Sequence, residues 1–238
     1  MTASPLAILG LGFFLGLRHA LDVDHLAAVS TIVSQRRSIW RSALVGVVWG
    51  IGHTTSLLVV AIAVIALHAE ISPALGQVLE LGVAIMLMTL GARLLATVLR
   101  GGAIHMHVHD HAGHAHVHPH VHAPDAPGHD HGPSRHHHHR RPFLVGLVHG
   151  LAGSGTLMLA VAATIADPAL AIVYVVIFGV GSIGGMAITS TLFAIPMVVT
   201  TRHFTGATRW VCAGAAVASV LVGLELAWTI GREAGFFA

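Results

Sequence analysis

Six apolar runs dominate the chain, at about 5–33, 40–67, 76–99, 142–165, 168–200 and 207–231, and most polar residues fall between them. As a helix, each run is long enough to cross the ~30 Å hydrocarbon core of a bilayer at ~1.5 Å per residue, so the pattern predicts an all-α membrane protein with six transmembrane helices. The connections at 34–39, 68–75 and 166–167 are short, which predicts antiparallel neighbours packed side by side. One connection is long. It runs over 100–141 and separates a three-helix unit at 1–99 from a second at 142–238.

Composition supports this class. With 55% hydrophobic and 9% charged residues and a mean hydropathy of +0.80, the chain has too few charges to cover a soluble surface. The lipid bilayer is the implied partner, and a net charge of +2 with no lysine gives no reason to expect nucleic acid. The single Cys212 excludes an intrachain disulfide and reads as a small buried side chain near the start of a helix. Met1 to Pro5 lacks the basic leader and cleavage site of a signal peptide, so the first run reads as a retained helix. Nine of the twelve arginines lie in the first, third and fifth connections: Arg36, Arg37 and Arg41, then Arg100, Arg135, Arg140 and Arg141, then Arg202 and Arg209. This bias predicts a multi-pass protein of the cell membrane with those connections in the cytoplasm and both termini outside.

The two units resemble each other. Gly16-Leu17-Arg18-His19-Ala20-Leu21 aligns with Gly146-Leu147-Val148-His149-Gly150-Leu151 at an offset of 130, Gly50-Ile51-Gly52 with Gly179-Val180-Gly181 at 129, and Gly82 and Gly91 with Gly214 and Gly223 at 132. An odd number of helices per unit makes the second unit inverted relative to the first, the inverted-repeat plan of secondary transporters, whose sites lie near the midplane.

Ionisable residues interrupt the first run at Arg18-His19-Ala20-Leu21-Asp22-Val23-Asp24-His25. A charge at mid-bilayer costs roughly 2.5 to 3.5 kcal/mol on insertion scales, so such a cluster needs a function to retain it. Imidazole with carboxylate is a ligand set for first-row divalent ions such as Ni, Co, Zn or Fe(II). His53 adds an imidazole in the second run, between Gly52 and Thr54-Thr55-Ser56. His149 is the half-retained copy of His19 and a further candidate ligand without a carboxylate nearby, and Ala152, Ser154 and Gly155 stand where the first unit has Asp22, Asp24 and His25. On a straight helix at ~100° per residue, His19, Asp22 and His25 fall within ~120° of arc while Asp24 lies ~140° from His19. Either the helix is unwound near 20–24, or Asp24 does a separate job. Asp22 is a ligand in one reading and an i, i+4 partner of Arg18 in the other. The Gly179, Gly181, Gly184, Gly185 series reads as a close-packing face, with a mobile gate as the alternative.

The long connection carries fifteen of the twenty-one histidines. His105, His107, His109, His111, His114, His116, His118, His120 and His122 alternate with small or apolar residues, His129 and His131 follow, and His136 to His139 close the tract. A segment of this composition is expected to be disordered without metal and to offer many interchangeable weak sites.

The His19-x4-Asp24-His25 pattern resembles the signature of the nickel/cobalt transporter superfamily, and Gly52-His53-Thr54-Thr55 resembles its second motif. The resemblance implies transport of Ni(II) or Co(II), with His19, Asp24, His25 and His53 handling the ion. Where the importers' pattern has acids, this chain has the His149-Gly150-Leu151-Ala152-Gly153-Ser154-Gly155 stretch and Ser190. With six predicted helices in place of eight, it resembles a shorter branch nearer the urease-accessory-like and efflux-type members.

The expected function is secondary transport of a divalent transition metal, Ni or Co first and Zn or Fe(II) next, through a midplane His/Asp site, with protons as the candidate coupling ion. No resident cofactor is required, and no Walker A motif provides for ATP. Import and efflux both remain open. The chain is not expected to be an enzyme: it has no His-Glu-x-x-His pair and no nucleophile–base set. The alternatives are a membrane-anchored metal sensor or metallochaperone that uses the His-rich loop, and a membrane metalloenzyme.

Overall fold

The computed structural model describes residues 4–34, 38–67, 72–100, 105–111, 114–120, 140–151, 156–203 and 205–235. The fold is helical apart from one small hairpin. In chain order the helices are α1 (Pro5–His19), α2 (Val23–Val33), α3 (Ile39–Leu67), α4 (Pro73–Leu99), α5 (Arg140–Leu151), α6 (Thr156–Ala163), α7 (Pro168–His203) and α8 (Thr205–Glu233). Ser4 and Ser72 start α1 and α4 alike. Each hydroxyl accepts a bond from a backbone N–H, Ala7 or Leu75, at 3.3 Å, and each is followed by a proline at the first helical position.

Among the described residues four helices are long and apolar enough to cross a membrane, and the bent pair α1 and α2 makes a fifth span if counted as one, against the six predicted. Of the two readings of the first run, a straight helix and one unwound near 20–24, the structure has the broken one. After His19 the chain tightens, with Leu21 N–H bonding Arg18 O at 2.8 Å and Asp22 N–H bonding His19 O at 3.1 Å. Asp22 then takes an extended conformation, φ −61° and ψ 146°, and α2 restarts at Val23 with an axis turned by 55°. Asp22 occupies the N-cap position with its carboxylate bonded to His19 and no side-chain cap bond, and Asp24 in the first turn is stabilised by the N-terminal end of the helix dipole. The fourth predicted run, 142–165, corresponds to α5 and α6, which flank residues outside the description.

α3 packs along α7 and α5, α1 along α7, and α4 along α8, while α2 lies against α7, α8 and α4. Glycines allow these approaches, and the contacts occur in exchanged pairs. Gly52 faces the backbone of Phe143 and Leu147, and Gly181 that of Phe13 and Leu17. Gly16 faces Phe178, and Gly146 faces Trp49. A β-carbon at Gly91 would stand 2.6 Å from Ala216 O, and one at Gly223 would stand 2.8 Å from Ala84 O. Within each pair the residues differ by 129 to 132 in number, the offsets of the sequence alignment. In α7, Gly179 meets Thr54 of α3, and Gly181 and Gly185 meet Phe13, Leu17 and Ala20 on another side, so two sides of the helix are used for packing, while Gly184 meets nothing within 4 Å.

Several hydroxyls in the spans are bonded locally or across neighbours. Thr31 and Thr189 return their hydroxyls to carbonyls one turn back, at 3.0 Å, and Ser219 bonds Leu87 O at 2.9 Å to join α8 to α4. Cys212 is free and buried in α8 as expected, with its thiol 3.6 Å from Ser34 O. In the long connection, β1 (His105–His111) pairs antiparallel with β2 (His114–His120). Histidine at alternate positions on both strands permits this ladder. His105 stands opposite His120, His107 opposite His118, His109 opposite His116, and His111 opposite His114. His122, His129, His131 and His136 to His139 lie outside the described residues.

Candidate metal centre

The end of α1, the start of α2, the middle of α3 and the end of α5 bring four histidines together. His25, His53 and His149 are fully buried and His19 is nearly so. The His25 ring is central, with centroids 4.5 Å from His19, 5.0 Å from His53 and 4.1 Å from His149. Aromatic walls close the cluster from the opposite units. His19 packs on Phe178 of α7 at 5.4 Å, and His149 on Trp49 of α3 at 5.6 Å.

Two carboxylates hold the rings. Asp22 Oδ2 accepts from His19 Nδ1 at 2.8 Å. With that nitrogen protonated, His19 Nε2 is a lone-pair donor, and it lies 3.1 Å from His53 Nε2. Asp24 Oδ1 accepts from the His25 backbone N–H at 2.9 Å and from His25 Nδ1 at 3.1 Å, while its Oδ2 accepts from His149 Nε2 at 2.9 Å. His25 Nε2, His53 Nδ1 and His149 Nδ1 are buried without a partner. Each such atom costs about 1–3 kcal/mol when left dry and unbonded, so three together are expensive unless a ligand is accommodated.

The side chains gather in two groups of three, His19, His25 and His53, and Asp24, His25 and His149. In each group the ligand atoms lie within 4.8 Å of one another, a geometry able to hold a metal ion. The sequence reading is sharpened at three residues. Asp24 joins His25 and His149 in place of His19, because the break re-aims α2. His149 enters on equal terms with the histidines of the first motif. Asp22 stands outside both groups with its side chain 47% exposed, and it pairs with His19 in place of Arg18.

Phe178 and Trp49 were not singled out by sequence. The signal that finds them is the alignment at 129, in which each stands immediately before the paired glycines Gly50 and Gly179. The eight histidines of β1 and β2 have positions only in the ladder register, so the structure gives no further geometry for their metal role.

The chain is 32% identical over 232 residues to the urease accessory protein UreH of Bacillus sp. (strain TB-90), across 98% of this chain and 95% of that protein. No solved structure matches it at comparable significance. The helices that carry the buried histidines fall within residues 6–228, which match the NicO family, described as high-affinity nickel-transport protein; the chain belongs to that family and is a multi-pass membrane protein.

Proposed function

We propose that the chain is a secondary transporter that passes Ni(II) across the membrane through the centre formed by His19, Asp24, His25, His53 and His149. The observation that carries this reading is the buried pair His19 Nε2 and His53 Nε2 at 3.1 Å, set at the break of a spanning helix. Two nitrogens bound to one ion at about 2.0–2.1 Å stand about 2.9 Å apart at right angles and about 3.3 Å apart at tetrahedral angles, so the pair suits one borderline divalent ion. Co(II), Zn(II) and Fe(II) share the ligand chemistry, and nickel is favoured by the family to which the chain belongs.

The finer architecture is two inverted three-helix units, with the broken pair α1 and α2 as one span and α5 and α6 as its counterpart. The exchanged glycine contacts support it, as does the pairing of His19 with Phe178 and His149 with Trp49. Such a framework rocks around a midplane site. The arginine bias puts the termini outside and the His-rich loop in the cytoplasm, where it gathers or buffers the ion. Protons compete for the same nitrogens and are the coupling ion in this reading.

The test is Ni(II) flux in proteoliposomes of known protein orientation. His25→Ala should abolish flux while the protein keeps its helical content and monodisperse elution. Undiminished flux in that variant would sink the assignment.

A further inference from the structure

We infer, on the basis of the nickel-transport reading above, that the centre holds the ion at two successive stations. One is His19, His25 and His53, the other is Asp24, His25 and His149, and the ion steps between them with His25 as the shared ligand.

Four observations meet in this step. Among the described residues the ligand atoms form two groups of three. His25 belongs to both groups and its ring lies between the others, whereas the His53 and His149 rings are 6.0 Å apart. Its two nitrogens differ in surroundings: Nδ1 rests on Asp24 Oδ1 and Nε2 is buried without a partner. Each unit also sends one histidine, His19 or His149, to its own group against an aromatic ring of the other unit. The ligand sets are unlike as well. The first is three imidazoles, and the second replaces one with a carboxylate whose charge offsets part of the ion's own. A transported ion must bind well enough to enter and weakly enough to leave, which two adjoining three-ligand sites satisfy better than one five-ligand site.

The step breaks the bonds to His19 and His53 and makes bonds to Asp24 and His149. When Asp24 takes the ion it gives up the hydrogen bonds from His25 Nδ1 and His149 Nε2, and each imidazole stays neutral, so the step has no net uptake or release of a proton.

Trp49 supplies a reporter within the full chain, since its ring lies 5.5 Å from His25 and 5.6 Å from His149. A paramagnetic ion at either station should quench it. Quenching by NiCl2 is read as the difference between the native chain and a Trp49→Phe blank, which removes the background of Trp40, Trp210 and Trp228 and of ions held in the loop. His53→Ala and His149→Ala should each keep saturable quenching, because one station survives, yet each should lose Ni(II) flux by about tenfold or more. Adding Asp24→Asn separates the stations. It should abolish quenching in the His53→Ala background and spare it in the His149→Ala background. Equal responses of the two double variants would overturn the two-station scheme, as would undiminished flux in His149→Ala, or loss of quenching in His53→Ala with its fold intact by circular dichroism. Absence of both quenching and flux in the native chain would instead remove the nickel-transport reading itself.

Discussion

His19 Nε2 stands 3.1 Å from His53 Nε2, joining the end of α1 to the middle of α3 across thirty-four residues of sequence. Asp22 holds the other side of the His19 ring at 2.8 Å, so the bare nitrogen faces His53. A carboxylate behind a ligating imidazole fixes its tautomer and orientation, and losing such a partner typically costs 10–100-fold in affinity or activity. Asp22→Asn should therefore lower Ni(II) flux by about that factor. Arg18→Gln should change it little, because the structure pairs Asp22 with His19. Equal losses in the two variants, measured in the same vesicles, would restore the Arg18 pairing.

The exchanged glycine contacts predict matched responses in the two units. A side chain at Gly52 meets the Phe143 carbonyl, and one at Gly181 meets the Phe13 carbonyl. Gly52→Val and Gly181→Val should each destabilise the protein by about 1–3 kcal/mol through overpacking, with similar falls in Tm in detergent. Gly184→Ala, which meets nothing within 4 Å, should be neutral or slightly stabilising. Large loss at only one of the paired sites would count against the inverted repeat.

Metal binding at the centre should weaken as pH falls. Each imidazole must offer a lone pair, and a proton that takes the nitrogen removes the ligand, so binding releases protons and acid opposes it. Trp49 quenching by Ni(II) should need a higher concentration at about pH 4.5 than at about pH 7.5, because protons and the ion compete for the same nitrogens. A midpoint that does not move over that range would argue against an imidazole site.

The His-rich connection should affect supply rather than passage. Replacing His105, His107, His109, His111, His114, His116, His118, His120 and His122 with serine should lower the number of Ni(II) ions bound per chain. Flux at saturating Ni(II) should stay within about twofold, since the replaced residues belong in sequence to the connection between α4 and α5, which carries none of the five residues of the centre. Loss of saturated flux would place the loop on the obligatory path.

Much of the centre was legible in the chain. Apolar runs must be long to cross a bilayer, and buried ionisable groups must be few, so run length and the isolated His19, Asp24, His25 and His53 could be read directly. The paired glycines also showed in sequence, because close helix approach constrains glycine at fixed spacing. Local chemistry alone left the state of the first span open between a straight and an unwound helix. The structure breaks it at Ala20 to Asp22, where an extended Asp22 caps a new helix and turns Asp24 off the arc it would occupy on a straight one.

Partner choice was decided by tertiary structure. Asp24 and His149 are separated by 125 residues yet bonded at 2.9 Å, and nothing in helical periodicity relates them. Their meeting depends on how closely α3 approaches α5 through Gly52 and Gly146, and α7 approaches α1 through Gly16 and Gly181. Sequence by itself determined which side chains were available and on which spans they lay. Packing of backbone on backbone determined which of them share an ion-sized space, because periodicity records a residue's position around its own helix and carries no distance to another.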